Sequence, residues 1–98
     1  MSETKKPKTF QEIDAQLQSD LGKISGEIAE IESHLEIGQR MFDEAVAANM
    51  DEAVIGKYKK GLEELQKGLE MFLGIKAEIE QTIATLHDTV KKAEEHIK

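Results

Sequence analysis

From Leu21 onward, apolar or small residues recur at Leu21, Ile24, Ile28, Ile31, Leu35, Gly38, Phe42 and Ala45, in alternating steps of three and four. Such spacing returns each residue to one face of an α-helix, and a 3.5-residue repeat of this kind asks for a partner helix wound around it in a left-handed supercoil. Phe10, Ile13 and Leu17 lead into the stripe with steps of three, four and four, so it drifts slightly at its start but keeps to one face. A second stripe is more regular: Ile55, Tyr58, Leu62, Leu65, Leu69, Phe72, Lys76, Ile79, Ile83, Leu86, Val90, Ala93 and Ile97, with Lys76 its only charge.

Boundary signals frame the two stripes. Just after the only proline, Pro7, the run Thr9-Phe10-Gln11-Glu12 has the spacing of a capping box, which starts a helix at about Thr9. Between the stripes lies Ala48-Asn49-Met50-Asp51-Glu52, where Asn49 can cap the second helix and the acids fall in its first turn, as the helix dipole favours. The pattern predicts a disordered polar tail at 1–8 and a single helical domain over 9–98. Within it, a helix covers about 9–47, a turn about 47–51 and a second helix about 51–97.

The expected fold is therefore all-α: a long antiparallel helical hairpin of coiled-coil type that self-associates into a helical bundle. With the turn centred near Asn49 and Met50, residues whose numbers add to about 100 face each other, which sets Gly38 opposite Leu62, Phe42 opposite Tyr58 and Ile28 opposite Phe72. The competing fold is a three-helix bundle broken near Gly38 or Gly74. Seven glycines lie inside helical patterns, each costing about 1 kcal/mol relative to Ala, so they are either tolerated bends or points of close approach to another helix.

Composition agrees with long helices. Ala, Glu, Lys, Leu and Arg supply 45 of the 98 residues, near the roughly 50% typical of coiled coils, and Leu, Ile, Val and Phe supply 24, above the roughly 20% below which chains stay disordered. Net charge is −7, and it is uneven: residues 9–49 carry −7 and residues 50–98 carry −2, against +2 over residues 1–8. Sustained acidity through the first helix speaks against binding phosphate backbones, which requires clustered Lys and Arg, so nucleic acid is not the expected partner. No apolar run approaches the length of a membrane span, and MSETKKPK has no apolar stretch behind its basic residues, so a cytoplasmic protein without a membrane partner is expected.

Candidate chemistry is sparse. The absence of cysteine excludes disulfides, thiol nucleophiles and Cys-based zinc sites. His34, His87 and His96 are scattered, without the ligand number a metal site needs, and read as surface histidines. Adjacent acids such as Glu63 and Glu64 diverge on a helix and so do not converge on one substrate. No enzyme, metal or cofactor is expected. The one basic cluster, Lys57-Tyr58-Lys59-Lys60, could contact an anionic ligand by charge and stacking; against this, Tyr58 falls on the seam, where it would pack near Phe42.

More telling are the apolar residues off the seam: Ile37, Met41, Val46, Met71, Leu73 and Ile75. A two-helix hairpin covers only its seam, so these side chains call for a further partner. Met71, Phe72, Leu73 and Ile75 form the densest patch and, with Ile37 and Met41 from a neighbouring chain, are the expected protein interface. The leading expectation is a non-catalytic interaction module or adaptor that forms homo-oligomers and binds another protein. The alternatives are a small acidic inhibitor of the phage type, acting as a nucleic-acid mimic or by sequestering a charged signalling ligand, and a secretion chaperone. No family is recognised. Tyr58 to Leu65 with Thr9 to Glu12 loosely resembles the small helical subunit of bacterial exodeoxyribonuclease VII, over under a quarter of the chain and through residues common to any Glu/Lys-rich helix.

Overall fold

The structure, a computed structural model, describes residues 9–97, so the tail expected at 1–8 lies outside the described residues. Two helices account for nearly all of it: α1, Phe10–Ala47, of 38 residues, and α2, Glu52–Ile97, of 46 residues. At 1.5 Å per residue they run about 57 and 69 Å, packed antiparallel along the two seams. The Cα radius of gyration is 21.7 Å. A globular domain of about 100 residues has a radius near 13 Å, so this hairpin is long and thin.

Local chemistry explains where each helix begins and ends. Thr9, extended at φ −70° and ψ 162°, caps α1: its hydroxyl oxygen accepts the Glu12 N–H at 3.2 Å, and the same hydroxyl lies 3.2 Å from the Glu12 carboxylate. The capping box thus forms with a variation, since Glu12 takes the Thr9 hydroxyl proton rather than a backbone N–H.

At the other end of α1, the Met50 N–H donates to the Ala45 carbonyl and the Asn49 N–H to the Val46 carbonyl, both at 3.1 Å. This is the Schellman arrangement, which needs a left-handed residue just past the helix; Asn49 supplies it at φ 52°. The expectation that Asn49 caps the second helix is corrected here. Asn49 closes α1, because Asn tolerates the left-handed region, and α2 opens at Asp51, whose backbone carbonyl accepts the N–H groups of Val54 and Ile55 at 2.9 and 3.0 Å.

Neither Gly38 nor Gly74 interrupts its helix, so the three-helix alternative does not form. The core is a single layer between two cylinders. Ile24, Ile28 and Leu69 are buried at its centre, with Leu21, Ile31, Leu35, Phe72 and Ile79 partly buried against them, and Ala45 is buried near the turn. Among the described residues no side chain is completely buried, which is the packing limit of a hairpin standing alone.

Candidate functional site

Two contacts fix the register of the hairpin. A Cβ placed on Gly38 would stand 2.9 Å from Leu62 Cδ2, so glycine here lets the helices approach at the level where the two numbers sum to 100. Farther from the turn, His87 Nε2 lies 2.8 Å from Asp14 Oδ1, at a sum of 101. Because the acceptor is a carboxylate, the ring nitrogen carries the proton. This cross-hairpin pair ties the open end together and was not evident from helical spacing, which compares only residues three or four apart. The register sum applied to polar as well as apolar residues reveals it.

The same pair sorts the exposed side chains. Asp14 follows the seam residue Ile13, and His87 follows the seam residue Leu86; they touch, so residues that follow a seam position in either helix share one broad face of the hairpin. The geometry is general: antiparallel neighbours are related by a local two-fold normal to their common plane, which keeps each face on its own side. Residues that precede a seam position, about 100° to the other side, share the opposite face.

That second face carries Ile37, Met41, Val54, Met71 and Ile75, each one residue before a seam position and each exposed. Their exposures are large for apolar side chains, 47% for Ile37 and 61% for Met71. The face bearing Asp14 and His87 carries Val46 and Leu73. The patch anticipated at residues 71–75 is therefore divided: Met71 and Ile75 lie on one face, Leu73 on the other, and Phe72 turns inward to pack on the central core. Ile37 and Met41, expected from a neighbouring chain, lie on the same face as Met71 and Ile75 within one hairpin.

Lys57, Lys59 and Lys60 are exposed and Tyr58 is half-buried. Lys57 precedes the seam and Lys59 follows it, so these two stand on opposite faces, while Lys60 lies one turn on from Lys57. Tyr58 instead lines a shallow concavity near the turn with Met41, Ala45, Ala48 and Met50. A second concavity, at the open end, is floored by Phe10, Leu86 and Val90 and rimmed by Asp14 and His87. Among the described residues no group of three His, Asp or Glu side chains is placed to hold a metal ion, and His34 and His96 are exposed. No described helix is long and apolar enough to cross a membrane.

No protein-family model, curated protein or solved structure matches the chain.

Proposed function

We propose that this chain is a non-catalytic helical interaction module, which completes its core by self-association and in that form binds another protein. The observation that carries the reading is the set of large apolar side chains left outside a one-layer core: Ile37, Met41, Met71, Leu73 and Ile75 are all exposed in the single hairpin. Packing two hairpins into a four-helix bundle would remove a share of this surface from water at about 25 cal/mol per Å². Methionine suits such a surface, being unbranched and polarizable.

The test is mass in solution. Sedimentation equilibrium at tens of micromolar should return a multiple of the 11.0 kDa chain, and Met71→Glu should shift the distribution toward the single chain while its far-ultraviolet circular dichroism stays helical. A single-chain mass across that concentration range overturns the proposal.

A further inference from the structure

Resting on that reading, we propose that the partner surface is the face of Ile37, Met41, Met71 and Ile75, and that its occupant is a second copy of this chain related by a two-fold axis parallel to the hairpin's length. The two faces differ in apolar content: five exposed apolar residues precede seam positions and two follow them.

Charge selects the arrangement. On this face α1 presents Glu12, Asp20, Glu27, Glu30 and Glu44 against Lys23 alone. A two-fold across the hairpin would lay this acidic strip of α1 on its own copy and set like charges together. A lengthwise two-fold lays α1 on α2 of the second copy at the same level, where the register sum of about 101 applies again. Glu44 then meets Lys57 and Lys23 meets Glu78, two ion pairs that bracket levels at which Ile37 lies over Glu64 and Met71 over Glu30. Neighbouring helices across the interface are antiparallel in either arrangement, so their dipoles do not choose between them.

Shape agrees with charge. In that arrangement Met41 lies over Gly61 and His34 over Gly68, both glycines on the docking face. Within one hairpin a Cβ at either glycine would meet nothing within 4 Å, so the fold of the single chain does not require them. Two bare backbone positions facing long side chains are the large-against-small pairing that lets layers interdigitate.

The experiment uses the cysteine-free full-length chain. Separately tagged Glu44→Cys and Lys57→Cys chains are mixed and treated with a short thiol cross-linker, beside a control mixture of Gln39→Cys and Glu63→Cys, which sit level with each other on the opposite face. The expected result is a mixed dimer from the first mixture and none from the second. In parallel, Gly68→Glu should weaken association at least about tenfold by burying a carboxylate beside Glu64, while Gly56→Glu, on the opposite face, leaves it unchanged. Wild-type dimers that cross-link through 39 and 63, or through neither pair, overturn this face while self-association stands. A monomeric wild type overturns both.

Discussion

Gly38→Ala tests the register at its tightest point. The substitution has two opposed consequences. Replacing Gly by Ala inside a helix lowers the entropy cost of ordering the backbone, a gain of about 1 kcal/mol where space is free. Here space is not free, because the new methyl carbon would stand 2.9 Å from Leu62 Cδ2 and 3.8 Å from its Cγ, against an optimal carbon–carbon contact of roughly 3.5 to 4.0 Å. The atom met is the tip of the half-buried Leu62 side chain, so Leu62 can turn to another rotamer at about 1 kcal/mol, or the helices must part at up to about 3 kcal/mol. The net effect of Gly38→Ala is a destabilisation of up to about 2 kcal/mol.

Gly74 supplies the internal standard: a Cβ there meets nothing within 4 Å, so Gly74→Ala takes the propensity gain alone, about 1 kcal/mol of stabilisation. Urea denaturation of both variants at one fixed protein concentration, necessary because association adds to stability, should separate them by about 1 to 3 kcal/mol. Adding Leu62→Ala should remove the conflict, so that Gly38→Ala becomes stabilising in that background. Equal stabilisation by the two Gly→Ala changes in the wild-type background would refute the placement of Leu62 over Gly38, and with it the register.

Asn49→Val should destabilise the hairpin by about 1 to 2 kcal/mol, because a β-branched residue resists the left-handed conformation at φ 52°, while Asn49→Gly should be neutral or better; thermal melts of the two give the order. Lys76→Leu should raise the melting temperature, since Lys76 is half-buried on an otherwise apolar seam; an unchanged or lower value would place it in solvent. The Asp14–His87 contact, 35% and 57% exposed, should show a coupling below about 1 kcal/mol in a double-mutant cycle with Asp14→Ala and His87→Ala, and zero coupling would mean the open end is frayed.

The hairpin was legible in the sequence because its seam is a periodic signal sustained along both halves, and periodicity is what a helix converts directly into a face. The register followed from one further quantity, the centre of the turn, and Gly38 against Leu62 agrees with it. Asn49 was harder: Asn is favoured both as an N-cap and in the left-handed position after a helix, so residue type alone leaves its role open. Its φ of 52° and the hydrogen bonds around Ala45 and Val46 decide it.

The interface was legible only in part. Off-seam apolar residues stand out against a heptad pattern, but grouping them by sequence joined Leu73 and Phe72 to Met71 and Ile75. Helical rotation sends these four to three directions, and the side on which each lies becomes readable once a contact such as Asp14 with His87 links the two helices. The glycines carried two meanings from the start, and the space around each one separates them: Gly38 is crowded, whereas Gly61 and Gly68 are open.

The central claim, that one hairpin leaves its core unfinished and a further chain covers it, meets its most direct test in sedimentation equilibrium of the full-length protein over a range of concentrations at moderate salt. The expected result is a reversible association whose limiting mass is a whole multiple of 11.0 kDa, with twice that value for the lengthwise two-fold. A mass that stays at 11.0 kDa up to the highest soluble concentration would contradict it, and the exposed Ile37, Met41, Met71 and Ile75 would then be the surface of a stable single chain.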